Sequence, residues 1–268
     1  MQDALGTLHW LVEAGADEAI GEEPVNRLQA KPAVPLPMPA KASAAISAPG
    51  VKIPAPVPGD AVGDAQALAA AATNLAELKA AMEGFDGCAL KRSATNTVFA
   101  DGTPAGRVMF IGEAPGRDED RSGKPFVGRA GQLLDKMLAS VGLDRTRNVY
   151  ITNVINWRPP DNRDPSPEEA AQCLPFLRRH IELADPQVIV LLGAVAGRHV
   201  MGISDGIMKS RGRWVEYRVG DRMVPIMPTL HPAYLLRQPA HKKLAWRDLQ
   251  SLAQKMEALG LPGVIAKT

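Results

Sequence analysis

From Arg107 to Leu259 the chain alternates between two hydrophobic periods, and this restricts the fold more than any other feature. Short apolar runs (RVMFIG, NVYITNV and QVIVLLG) are separated by longer stretches with apolar residues three and four apart. The first kind suits a strand and the second an amphipathic helix. A run as uniformly apolar as QVIVLLG suits a strand covered by helices on both faces. The alternation predicts an α/β protein with three layers, α/β/α, around a central, mostly parallel sheet. Helices are expected at Gly131–Ser140, from Ser166 onward, and from about Lys242 to Leu259. Ser166, Pro167 and Glu169 have the spacing of a capping box. RGRWVEYRV and MVPIMPTL are expected to pair as a hairpin through Gly220-Asp221.

Upstream the composition is different. The first twenty residues predict one amphipathic helix, with Leu5, Leu8, Leu11 and Val12 on a face. Lys31–Gly63 holds eight prolines among Ala, Val and Gly, which predicts a linker with polyproline II character. Ala67–Met82 is rich in Ala and Leu and predicts a helix. The expected division is an arm over residues 1–75 and a catalytic domain over 76–268.

Several function classes are disfavoured. Two cysteines, Cys88 and Cys173, are too few for a disulfide framework and fit a reducing compartment. No run approaches the ~20 apolar residues of a membrane span, and LHWLV is too short for a signal-peptide core. A cytoplasmic protein without membrane contact is expected. A net charge of +2 neither demonstrates nor excludes a polyanion partner, because the local field matters more than the total.

Three segments carry candidate chemistry: GEAPGRDED (Gly112–Asp120), ITNVINWRPPDNR (Ile151–Arg163) and HPAYLLR (His231–Arg237). Each follows an apolar run, and in open α/β sheets sites form beyond the carboxyl ends of the strands. Glu113, Asn153 and His231 should therefore share a crevice. Glu113 can orient or activate water, or steady a developing cation; otherwise it is a solvated turn acid. Phe126, in a loop between glycines, can stack on a planar base or plug the core. Asn153 offers one donor group and one acceptor to a base edge, or it simply closes a turn. His231 can donate to an oxygen gaining negative charge, or it is structural. Arg158, Arg163 and Arg237 can hold phosphates or lie on a solvated surface.

Taken jointly, the segments resemble the type 4 uracil-DNA glycosylases, over about Phe85–Leu259. GEAPGRDED is similar to that family's first motif, GKPFVGRAGQLLD to its base-stacking loop and HPAYLLR to its second motif, with YITN, WRPPDNR and VLLGAVA between them in family order. The resemblance implies a DNA-repair enzyme that flips uracil out of single- or double-stranded DNA and hydrolyses its glycosidic bond, leaving an abasic site. By the same resemblance, Glu113 is the motif-one acid beside Gly112 and the backbone of Ala114, and Glu119 shapes the pocket. Phe126 stacks on the base, Asn153 reads its edge and rejects cytosine, and His231 stabilises the uracil O2. Arg158 and Arg163, with Tyr234, Leu235 and Arg237, press on phosphates and wedge into the duplex. No Lys in these motifs is suited to a Schiff base, so strand cleavage is not expected.

The chain also departs from the family, whose members usually hold a four-iron cluster on four cysteines. The matching positions here are Phe85, Cys88, Trp157 and Cys173. Cluster ligation normally takes four thiolates, so no cofactor and no metal are expected, with aromatic packing in the cluster's place. Two other functions stay open: a glycosylase for a broader set of deaminated or modified bases (xanthine, hypoxanthine, modified cytosine), and a non-catalytic DNA-binding module. The protein is expected to be a monomer, with the N-terminal arm available to a protein partner.

Overall fold

The computed structural model describes residues 60–261. The N-terminal amphipathic helix and most of the proline-rich linker lie outside the described residues. The described elements run α1 (Ala61–Ala71), α2 (Leu75–Gly84), α3 (Ala89–Ser93), β1 (Asp101–Gly102), β2 (Val108–Gly112), α4 (Arg117–Ser122), α5 (Arg129–Ala139) and β3 (Val149–Asn153). They continue with α6 (Pro167–Ala184), β4 (Val188–Leu192), α7 (Ala194–Met201), α8 (Ile207–Ser210), β5 (Val215–Val219), β6 (Arg222–Thr229), α9 (Pro232–Arg237) and α10 (Lys242–Ala258).

Six strands form one sheet in the order β1-β3-β2-β4-β6-β5. The four inner strands are parallel, whereas β1 and β5 pair antiparallel at the two edges. Strand pleating sends alternate residues to opposite faces. Met109, Ile111, Ile189 and Leu191 point into the layer built on α1, α2 and α6. Val108, Phe110, Val188 and Val190 point into the layer built on α5, α9 and α10. Burial on both faces explains why the sequence of these strands is uniformly apolar. The expected hairpin is present: β5 and β6 pair from Val219↔Arg222 inward, and Gly220 in the turn has φ +56°.

The capping box of α6 forms as its sequence predicts. The Ser166 side chain accepts from the N–H of Glu169, and the Glu169 carboxylate accepts from the N–H of Ser166. The expected helix over Ala67–Met82 is instead two helices. Asn74 interrupts it, because its side-chain oxygen accepts from the N–H of Glu77 and starts α2 afresh. Ala65, Ala69 and Ala72 of the first piece are buried against the core. Arg179 of α6 also donates to the carbonyl of Ala72. Among the described residues, α1 and α2 both pack on this core. Small side chains are what allow α1 to lie close on α6, and alanine-rich composition alone did not distinguish a linker helix from a packed one.

Candidate active site

β2 is central, with β3 on one side of it and β4 on the other, so the chain changes direction across the sheet at this strand. Beyond the carboxyl ends of β2, β3, β4 and β6 lies a cavity of about 600 Å³. Glu113, Ala114, Glu119, Phe126, Asn153, Arg163, His231, Tyr234 and Arg237, all expected from the sequence, line it. The parallel pairing of β2 and β3 continues past the strands, because the N–H groups of Val154 and Ile155 donate to the carbonyls of Gly112 and Glu113. This brings Asn153 beside Glu113.

Gly112 must lack a side chain. A Cβ there would sit 2.4 Å from Asn153 Oδ1 and 2.6 Å from the Phe126 ring. Asn153 is buried, and its Oδ1 accepts no hydrogen bond among the described residues. A buried acceptor without a donor is costly unless a ligand supplies one.

Phe126 sits in the left-handed region at φ +55°, which is uncommon for a bulky residue. Its loop is held on several sides. Glu119 Oε1 accepts from the N–H groups of Val127 and Gly128, each at 2.9 Å, and Glu119 Oε2 accepts from Gly116 at 3.2 Å. Arg145 donates to the carbonyls of Pro125 and Phe126. Gly131 lets that same Phe126 carbonyl approach α5, since a Cβ at 131 would lie 1.8 Å from it. Glu119 thus acts through backbone donors and positions the ring.

The ring of Phe126 lies 5.6 Å from that of His231, tilted by 36°. His231 Nδ1 accepts from the N–H of Ala233 at 3.1 Å. An accepting Nδ1 leaves the proton on Nε2. Burial, with a smaller contribution from Arg237, lowers the His231 pKa to about 4, so the ring is neutral near pH 7. Glu113 makes no side-chain hydrogen bond among the described residues. Its pKa is raised to about 7, mainly by burial and further by Asp164, against the opposing pull of Arg198. The site therefore pairs a neutral donor with a carboxyl group poised to change charge near neutrality.

The remaining expected contacts divide. Arg237 is exposed at the rim. Arg163 forms a two-pronged ion pair with Glu169, and Arg158 lies outside the cavity, donating to Asn162 at 2.8 Å. Leu235 requires correction: it is 1% exposed, packed in the core under α9, and cannot wedge into a duplex. Its neighbour Leu236, 37% exposed, is the apolar side chain that α9 presents to solvent. The doublet Leu-Leu did not say which member faced out; the helical phase of α9 decided it. Ile207 and Asp164 also line the cavity and escaped the sequence reading, as does the first turn of α7, which lies in the segment VLLGAVA but was given no role there.

The residues matched to iron ligands in the family also converge. Phe85, Cys88, Trp157 and Cys173 are buried in one core cluster with Phe176. The Phe85 ring centroid is 6.4 Å from that of Trp157 and 5.2 Å from that of Phe176. Both cysteines are free thiols. A hydrogen bond between them holds Cys88 low and pushes Cys173 up. Trp157 donates through Nε1 to Thr97 at 3.0 Å. Two thiols faced by aromatic rings do not fit a cluster that takes four thiolates.

A doubly wound α/β domain with a mostly apolar cavity, set with a few convergent polar groups, at its topological switch point defines the class: an enzyme of the open α/β type. The chain belongs to the uracil DNA glycosylase superfamily, whose family model matches residues 99–250. It is similar to the type-4 uracil-DNA glycosylase of Thermotoga maritima, 45% identical over 166 residues that cover 61% of this chain and 84% of the relative. The type-4 enzyme of Archaeoglobus fulgidus is 41% identical over 171 residues, covering 62% and 85%. A DNA polymerase of Bacillus phage SP01 is 30% identical over 179 residues, which make up 67% of this chain and 19% of the polymerase. Among the described residues, no helix is long and apolar enough to cross a membrane.

Proposed function

We infer that this protein is a uracil-DNA glycosylase that removes uracil from DNA by hydrolysis. The observation that carries the reading is the unpaired, buried Oδ1 of Asn153 beside Phe126 and the neutral ring of His231. Uracil supplies what this arrangement lacks: an N3–H for the acceptor, an O4 for the Asn153 amide donor, a planar face for Phe126 and an O2 for His231 Nε2–H. Cytosine presents an acceptor at N3 and a donor at N4, the opposite pattern. A site left with unpaired buried groups rejects such an analogue strongly.

In the reaction the bond between uracil N1 and the sugar C1′ breaks. The bonding pair leaves with uracil as an anion, and the sugar becomes cationic. His231 donates to the O2 that gains charge, and it need not lose its proton to do so. Glu113 in its ionised form accepts a hydrogen bond from water and aims the oxygen at C1′. Water adds its oxygen to the sugar and its proton leaves through the carboxylate, giving free uracil and an abasic site. Flipping the base costs a few kcal/mol, and less when the base is mismatched or single-stranded. Phosphate contacts from Arg237, and from Arg158 where the DNA reaches it, offset that cost in a salt-sensitive way. Both single- and double-stranded DNA are substrates in this reading.

Excision proceeds without an iron–sulfur cluster, since the rings of Phe85 and Trp157 stand where two cysteines would be needed. The enzyme works as a monomer in the reducing cytoplasm, and the segment before residue 55 serves contacts other than catalysis. An oligonucleotide carrying one uracil tests the function: it becomes alkali-labile after incubation with the protein. A panel carrying xanthine, hypoxanthine or modified cytosine then sets the base range, and an oligonucleotide that stays alkali-stable throughout overturns the enzymatic reading.

A further inference from the structure

Behind α9, on the side away from the uracil cavity, lies a shallow groove of about 250 Å³ between α5 and α10. Its floor is Leu133, Met137 and Leu235, and Trp246 stands at its wall, 43% exposed. Lys136 and Lys242 line it, and no carboxylate does. On the same end of α10, Lys243 and Arg247 are exposed. None of these four cations is paired with a carboxylate among the described residues, although nearby Arg145 and Arg211 are. Two cations thus line the groove beside an exposed indole, and two more stand on the same end of α10. An exposed tryptophan over an apolar floor is a stacking surface for a base, and the surrounding cations suit phosphates.

The groove and the uracil site lie on two faces of α9. One face of that helix lines the cavity with Ala233, Tyr234 and Arg237, while Leu235 lines the groove. Tyr234 and His241 join the two, stacked at 5.6 Å and bonded through the Tyr234 hydroxyl at 2.7 Å, and His241 directly precedes α10. We propose that this groove is a second DNA subsite, which holds a nucleotide flanking the flipped uracil: Trp246 stacks on its base, and Lys136, Lys242, Lys243 and Arg247 hold the adjoining phosphates. The proposal deepens the uracil-excision reading and depends on it for the identity of the strand. The uracil cavity on the other face of α9, together with the cations, favours a nucleic acid over the competing occupant, an acidic amphipathic peptide.

The test uses the full chain and two readouts. In the first, single-stranded oligonucleotides carry uracil with flanks of increasing length on either side. The ratio of kcat/KM between long and short substrates falls roughly tenfold in Trp246→Ala, the worth of one base stack, and is largely restored in Trp246→Phe. The double substitution Lys242→Ala with Lys243→Ala lowers the slope of log affinity against log salt by roughly one to two. In the second, binding of an unmodified oligonucleotide with 2-aminopurine at successive positions is followed by fluorescence, so the groove is tested even if uracil excision fails. Quenching at one flanking position that disappears in Trp246→Ala supports the subsite. Wild-type ratios, salt slope and quenching in the variants overturn it, as does a Trp246 signal that answers an acidic amphipathic peptide and not DNA.

Discussion

His231 Nδ1 accepts a hydrogen bond from the backbone N–H of Ala233, 3.1 Å away. The contact places a side chain at the start of α9 and, with it, the one ring proton of the neutral imidazole on Nε2. Because the pKa is lowered to about 4, the imidazole stays neutral across the range in which the enzyme would work. Excision should therefore show no ionisation attributable to His231 between roughly pH 5 and 9, the range in which an ordinary histidine, with a pKa of about 6.5, changes charge. His231→Ala should reduce single-turnover excision roughly 100- to 1,000-fold, as loss of one well-placed donor does. A loss confined to KM would deny it that role.

Glu113 should supply the pH dependence instead. Its pKa is raised to about 7, so the active carboxylate accumulates as pH rises through that value, and excision should rise with it. Glu113→Gln should lower the rate and remove this limb. Asp164 raises the Glu113 pKa by charge repulsion, so Asp164→Asn should move the midpoint to lower pH. Pre-steady-state rates across pH read all three outcomes, and an unmoved midpoint in Asp164→Asn would break the coupling. Stability has the opposite sign. The folded protein holds this proton up to about 7 and the unfolded chain only to about 4.5, so this group's contribution is present at low pH and is lost as pH rises.

Asn153→Asp exchanges the amide donor for a carboxylate that repels the uracil O4. Excision of uracil should fall at least ~100-fold, consistent with sites built around a buried hydrogen bond. Asn153 is 1% exposed, so the buried carboxyl should also lower the thermal midpoint, more so as pH rises and favours its charged form. Rates within about threefold of the parent, less than 1 kcal/mol, would remove Asn153 from base recognition.

The aromatic cluster predicts stability that rests on packing. Trp157 is 1% exposed and hydrogen-bonded to Thr97, so Trp157→Ala should cost about 3–5 kcal/mol in chemical denaturation. Cys88→Ser with Cys173→Ser should retain excision. Protein purified without oxygen should contain no stoichiometric iron or sulfide, and finding both would return the chain to the four-thiolate pattern.

The two ends of the N-terminal region should behave differently on deletion. Removing residues 1–54 should leave excision and the melting temperature close to those of the full chain. Extending the cut through Ala72 removes α1, the burial of Ala65 and Ala69, and the acceptor for Arg179, and should lower the melting temperature. Equal melting temperatures for the two truncations would show that α1 is dispensable.

Much of the architecture was legible in the chain itself. A strand covered on both faces has to be apolar at every position, so β2 and β4 could be recognised without a partner. The box of Ser166 and Glu169 is local chemistry within one turn, and it marked the start of α6. Glu113, Asn153 and His231 each end such a strand, which is why a crevice shared by residues far apart in sequence could be anticipated. Other features depended on tertiary contacts. Whether Leu235 or Leu236 faces solvent follows from how α9 docks on α5 and α10. Whether the alanines of α1 are linker or core follows from the surface of α6, and Asn74 set the break by a cap that Ala-rich composition does not reveal. The raised pKa of Glu113 and the fixed tautomer of His231 arise from burial and from a neighbour's N–H. Residue type and spacing determine which groups reach the end of a strand; only the packed surroundings determine their charge, their proton and the direction they face.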